Sequence, residues 1–250
     1  MQHEGDDEGH LHDKPSFTTK PGDLIYIMYI QLWHSRDVSP RAYNSPRRTV
    51  AATQTRERIV AAAGTILGTA EGISGFSLQA VAEKAGVTRL TVYNQFGSRR
   101  ALLEAVFDDM AVRGGLHRIP GVMAGSDPQA GLLRVIAIFC DFWSFGCDAL
   151  GPLHAAGASD PEFGASVRER NERRRRLLSV LVRRMAKDRK LRPKALGDLI
   201  DVLFALTSFS FFSQLTAGGR TAEAACGLIQ GLARDAVRRA MKEEMPVSAD

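Results

Sequence analysis

Residues 77–96, SLQAVAEKAGVTRLTVYNQF, admit very few local structures. Ser77 and Thr88 are natural helix N-caps, and Gly86 between them suits the left-handed backbone position that ends a helix. The chain is therefore expected to turn sharply between two helices, each too short to be stable alone. Leu78, Val81, Ala82 and Ala85 share one apolar face, and Val87, Val92 and Phe96 can face inward from the second helix. Ala82 and Gly86 are small where the two helices would cross closest, with Val81, Val87 and Val92 filling the space between them. This is the helix-turn-helix arrangement, which presents its second helix to the major groove of DNA. What that helix holds out is Thr88, Arg89, Thr91 and Asn94, side chains able to hydrogen-bond base edges and phosphates.

The surrounding chain reads as helix from residue 53 onward. Ile59, Ala62, Ala63, Ile66 and Ala70 recur at helical spacing ahead of Gly72. Ser98 caps a helix over 98–117 whose buried face is Ala101, Leu102, Ala105, Val106 and Met110. Residues 129–146 are apolar nearly all round, as in a helix at the centre of a bundle. Helices are expected at about 160–189, 194–217 and 222–243, and no strand alternation competes with them. The fold class is all-α.

With those elements in place, residues 53–103 resemble the DNA-binding domain of the TetR family of transcriptional regulators. The resemblance runs through RIVAAAGTILGTAEGISGFSLQAVAEKAGVTRLTVYNQFGSRRALLEAV, and its most specific parts are FSLQAVAEKAGV, TVYNQF and GSRRALL. It implies that Ser77 and Gln79 meet phosphate at the groove edge and that Thr88, Arg89 and Leu90 sit nearest the bases. Thr91, Tyr93 and Gln95 would touch the DNA backbone, Arg99 would clamp a phosphate at the start of the fourth helix, and Phe96 would be core. Leu90 stands where the family usually has a small residue, so an apolar base contact, as to a thymine methyl, is expected there. Arg99 replaces the usual Lys, which keeps the charge but alters the donor geometry.

The resemblance also implies a second domain that binds a small molecule and forms a homodimer through the last two helices. The expected organisation is an N-terminal extension over 1–48, a three-helix helix-turn-helix DNA-binding domain over 49–97, and a helical ligand-binding and dimerisation domain over 98–250. The dimer has support from the residues themselves. Ala222, Ala225, Cys226, Ile229, Ala233, Ala236, Val237 and Ala240 form one stripe, with Gly227 and Gly231 beside it, and residues 199–212 are apolar on more than one face. A two-fold dimer implies a palindromic operator in double-stranded DNA.

Eight of the twelve Phe fall between residues 139 and 212, and no Tyr follows Tyr93. An aromatic, phenol-free lining suits an apolar or aromatic effector held by shape. Candidate lining residues are Phe139, Phe142, Trp143, His154, Phe163 and Phe204. Arg170 and Arg174 fall on the apolar face of their helix; the expectation is an internal ion pair with a carboxylate such as Asp141 or Asp148, and the other reading of Arg174 is contact with an acidic ligand.

Charge and composition set the remaining bounds. The net charge of +5 and pI of about 9.3 are compatible with nucleic acid without being diagnostic of it. Arg47 and Arg48, placed just ahead of the first helix, are expected to act as a basic arm reaching the DNA backbone or minor groove. Residues 1–48, with four prolines and an acidic first stretch, read as a disordered extension; His3, His10 and His12 within it read as a solvated tail. The run LIYIMYIQLW at 24–33 is too short to span a bilayer and lacks the flanks of a signal peptide. Cys140, Cys147 and Cys226 form no disulfide framework, and the first two are expected on one helix about 10 Å apart. A cytoplasmic protein follows. No nucleophile–base set, phosphate loop, dinucleotide fingerprint or metal-ligand spacing is present, so the chain is not expected to be an enzyme and no cofactor or metal is implied. A structural DNA-binding protein that ignores ligands is the alternative to a ligand-released repressor.

Overall fold

A computed structural model describes residues 46–187 and 192–242, all within one compact unit of the chain. The rest, including the histidines near the start and the apolar run at 24–33, lies outside the described residues. Eleven α-helices and no strand occur among the described residues: α1 (Pro46–Leu67), α2 (Leu78–Ala85), α3 (Arg89–Phe96), α4 (Arg99–Arg113), α5 (Ile119–Met123), α6 (Pro128–Phe145), α7 (Cys147–Ser159), α8 (Pro161–Met185), α9 (Pro193–Leu206), α10 (Phe209–Ala217) and α11 (Ala222–Ala240). No single one is long and apolar enough to cross a membrane.

Local chemistry sets the amino-terminal helices. Ala80 N–H donates to Ser77 Oγ at 3.1 Å, Thr91 N–H to Thr88 Oγ1 at 3.1 Å and Ala101 N–H to Ser98 Oγ at 3.1 Å, so α2, α3 and α4 each begin on a hydroxyl cap. Gly86 ends α2 with φ of 65°, where only glycine is free of strain. A Cβ there would meet nothing within 4 Å, so Gly86 is required by its backbone angle and not, as expected from its size, by a close helix crossing. Gly86→Ala should therefore cost roughly 1 kcal/mol of stability and no more, measurable as a small shift in thermal denaturation; a loss several times larger would mean that the turn makes tertiary contacts.

α1 packs on α2 and α4, and α3 on α2 and α4, enclosing Ile59, Ala63, Leu67, Val81, Val92, Phe96, Leu102 and Leu103. α1 begins earlier than expected, at Pro46, a residue suited to the first helical turn. Arg47 and Arg48 thus belong to α1 and do not form a separate arm ahead of it, and the helix starts before the expected residue 53. It also ends at Leu67, which leaves Ala70 exposed in the turn that follows.

In the second half, α6 lies at the centre, against α4, α5, α7, α8, α10 and α11. Three expected elements are divided differently. α4 stops at Arg113 because Gly114 and Gly115 follow, and a short 3₁₀ turn covers Leu116–Arg118. α6 and α7 meet at 90° across Gly146, so Cys140 and Cys147 are on different helices. The expected 194–217 helix is broken at Thr207 and bent by 49°, with Ser208 Oγ accepting from Phe211 N–H at 3.1 Å to start α10. All three cysteines are free thiols. Cys140 of α6 meets Cys226 of α11, and its pKa is pushed up by the hydrogen bond to Cys226 and by burial.

α7 and α8 cross with almost no side chain between them. A Cβ on Gly164 would overlap the Gly157 carbonyl, so glycine is what permits this approach. At its other side α7 packs on α1, with Asp148 against Gly68 and Pro152 against Gly72.

The α11 stripe faces inward. Ala225, Ile229, Ala233, Val237 and Ala240 are buried within the protomer against α6 and α9. Its periodicity reports the core of this chain, which corrects the reading of that stripe as the dimer surface.

Candidate nucleic-acid interface

The inner side of α3 is fixed by Val92, fully buried, and Phe96. Arg56 of α1 donates from Nη1 to the Gln95 carbonyl at 3.0 Å and lies 4.3 Å over the Phe96 ring. A cation there satisfies a carbonyl at the helix C-terminus and favours its dipole. The far side of α3 is open. Leu90 is 66% exposed and Tyr93 55%, high values for large apolar and aromatic side chains, and Thr88, Arg89 and Asn94 are exposed beside them. Thr91 and Gln95 are half-buried at the edges of this surface.

Thr88 and Thr91 share a hydroxyl hydrogen bond of 2.9 Å at the start of α3. Both hydroxyls lie beside unsatisfied N–H groups of the first helical turn, where anions are favoured. Ser77, exposed at the start of α2, accepts from Ala80 N–H and keeps its own O–H for an outside acceptor. Gln79 donates to Glu83 at 2.7 Å along α2 and is also exposed. The structure thus brings Ser77, Gln79, Thr88, Arg89, Leu90, Thr91, Tyr93 and Asn94 to the two short helices of one surface. Arg99 has a different occupation. Its Nε donates to Phe76 C=O at 3.2 Å, its Nη2 to Ile73 C=O at 3.4 Å, and its guanidinium lies 5.3 Å over the Phe76 ring. These two donors tie α4 to the loop ahead of α2. The roles of Arg56 and Arg99 were missed in the sequence because their partners lie 39 and 23 residues away.

Four of the expected ligand residues, Phe139, Phe142, Trp143 and His154, join Phe107 and Phe209 in a ring cluster. Phe139 stacks on Trp143 at 5.9 Å, Phe142 lies 4.6 Å from Trp143, Phe107 meets Phe142 edge-on at 5.8 Å, and Phe209 joins Trp143 at 5.8 Å and His154 at 5.1 Å. Phe142 and Phe163 are fully buried, whereas His154 and Phe204 are half-buried. A surface cleft of about 350 Å³ opens elsewhere, lined by Gln129, Arg234, Val237, Arg238, Met241 and Lys242. The ion pairs also differ from expectation. Arg170 binds Asp108 of α4 at 2.7 Å, Asp141 is taken by Arg118 at 2.6 Å, and Arg174 meets no carboxylate among the described residues. Among those residues no group of three His, Cys, Asp or Glu could hold a metal ion.

Residues 59–106 match the profile of the bacterial regulatory proteins, tetR family. Two solved structures share the fold. A TetR-like transcriptional regulator from Rhodococcus sp. RHA1 is 19% identical with a TM-score of 0.59, over 74% of this chain and 96% of that one. A protein from Mesorhizobium loti MAFF303099, assigned to the TetR family of transcriptional regulators, is 17% identical with a TM-score of 0.55, over 76% of this chain and 96% of its own. No curated protein matches the chain.

Proposed function

From a chain that belongs to the TetR family of transcriptional regulators through its helix-turn-helix, we propose a homodimeric, cytoplasmic repressor that a small molecule releases from a palindromic operator. The observation that carries this reading is α3 itself. Its inner side is locked by Val92, Phe96 and Arg56, and its outer side offers Thr88, Arg89, Leu90, Tyr93 and Asn94 to one surface. Thr88, Arg89 and the Leu90 side chain read bases; Ser77, Gln79, Thr91, Tyr93 and Gln95 hold phosphates. Arg47 and Arg48 reach the DNA backbone from the first turn of α1. The DNA-binding domain runs to residue 97, and the helices from 98 onward hold the effector and the partner protomer.

A dimer through the last helices fits a face other than the buried stripe. Gly227 and Gly231 of α11 have nothing within 4 Å of a Cβ position, Leu232 is 39% exposed and Val202 of α9 is 44% exposed. Small residues beside exposed aliphatic ones allow two such helix pairs to approach closely across a two-fold axis.

Selecting DNA fragments with the purified protein tests the reading directly: a regulator recovers a palindrome, a structural DNA-binding protein recovers no sequence. On the selected site, Arg89→Ala should cost roughly 1–3 kcal/mol and leave binding to unrelated DNA nearly unchanged. Equal losses on both kinds of DNA, read by fluorescence anisotropy at one salt concentration, would remove Arg89 from base recognition.

A further inference from the structure

We infer that Arg174 is a carboxylate-binding group, and that the effector is an aromatic or alkyl acid seated between α6, α8 and the start of α10. The second half of this inference rests on the effector-released reading above. Arg174 is 7% exposed. Among the described residues its one hydrogen bond runs from Nη1 to the Thr207 carbonyl at 3.1 Å, and its Nε–H is buried with no acceptor. Three neighbouring arginines of α8 have an anion: Arg170 has Asp108, Arg173 has Glu169 and Arg175 has Asp201. Arg174, the most buried arginine of the helix, has none among the described residues.

A guanidinium does not escape burial by losing its proton. Burial, and then the like charge of Arg175, lower its pKa to about 10, which still leaves it cationic at neutral pH. A buried charge held by a single carbonyl is unfavourable for the fold and complementary to an anion brought from outside.

The surroundings set the rest of the ligand. Arg174 lies 4.4 Å from the Phe204 ring and 6.0 Å from the Trp143 ring. Phe209, the first residue of α10, lies between Trp143 and His154. His154 Nδ1 donates to the Leu150 carbonyl at 2.7 Å, which fixes the ring beside Phe209. His154, Phe204 and Phe209 are half-buried, the part of the ring cluster that reaches solvent. An apolar body fits by displacing the Phe209 ring. Arg175 shares the Phe204 ring but is paired with Asp201, so Arg174 presents one charge to a ligand, and a carboxylate fits better than a dianionic phosphate.

The same group is linked to α4, which packs on α1 and α3. Thr207 C=O accepts from both Trp143 Nε1, at 3.1 Å, and Arg174, so an anion that draws Arg174 away loosens the α9–α10 break. One turn back along α8, Arg170 grips Asp108 and lies 4.6 Å over Phe107, both on α4.

The test titrates the full-length protein with matched acids and amides: benzoate and benzamide, 2-naphthoate and 2-naphthamide, 4-phenylbutyrate and its amide, decanoate and its amide. Affinity is read by calorimetry and operator release by anisotropy. At least one acid should bind about tenfold or more tighter than its amide. Arg174→Met should bring that ratio to about one without lowering the melting temperature, and Arg174→Lys should retain part of it; Arg174→Gln serves if the Met variant fails to fold. An acid preference that survives the loss of Arg174, or no acid in the panel outbinding its amide, overturns the inference. An acid bound through Arg174 that leaves the operator complex intact upholds the site and overturns release by that ligand. A neutral amide that releases the operator as well as its acid upholds release and overturns the carboxylate.

Discussion

Phe142→Ala is expected to lower the stability of the protein by roughly 3–5 kcal/mol. The ring is fully buried, meets Phe107 of α4 edge-on and Trp143 on its own helix, and closes against Gly114, where a Cβ would come within 2.6 Å of it. Its removal opens a void between α4 and α6 that glycine cannot fill. Marginal proteins have only about 5–15 kcal/mol in total, so operator binding should fail on modest warming together with the fold. As a residue lining an effector site, the reading its place in the sequence suggests, Phe142 would instead be needed for the ligand response and not for the fold. Denaturant titration beside operator binding decides between them. Unchanged stability with a lost ligand response would return Phe142 to the pocket.

The largest effect on DNA affinity is expected from Leu232→Arg. On the proposed dimer face, a cation at each copy of Leu232 would sit beside its symmetry mate near the two-fold axis. Separate protomers lose the gain from linking two half-sites, a factor on the order of 10²–10⁴ in operator affinity. Sedimentation should show monomers whose helical content matches the parent. A Leu232→Arg protein that stays dimeric, or a monomer that holds the operator as tightly as the parent, would place the interface elsewhere or remove the need for one. Ala233→Arg, one residue on, is the control for misfolding, because Ala233 is fully buried in the protomer.

These two variants mark what could be read in the chain and what could not. The caps at Ser77, Thr88 and Ser98 and the turn at Gly86 were legible because each is decided within four residues by one side chain or one backbone angle. The exposed face of α3 followed from them. The α11 stripe was legible as a helix face, yet periodicity says only that a face is apolar; it does not say whether α6 of the same chain or a second copy covers it. The breaks at Gly146 and Thr207 were hidden by apolar residues on both sides, although Ser208 carried a cap signal. Phe142 and Trp143 read as a lining for the same reason, since an aromatic residue on a central helix is equally suited to a cavity or to its filling. Arg174 was ambiguous because its candidate carboxylates, Asp141 and Asp148, are on other helices, where each is held by another partner.

The bare crossing of α7 and α8 at Gly157 and Gly164 bears on how the DNA-reading end can move. With backbone against backbone, α7 cannot slide along α8, and the pair behaves as one beam. That beam meets α4 through Arg170 and Asp108, and the end of α1 through Asp148 and Pro152. A shift of that beam therefore bears on α4 and on α1 together, the two helices that α2 and α3 pack against.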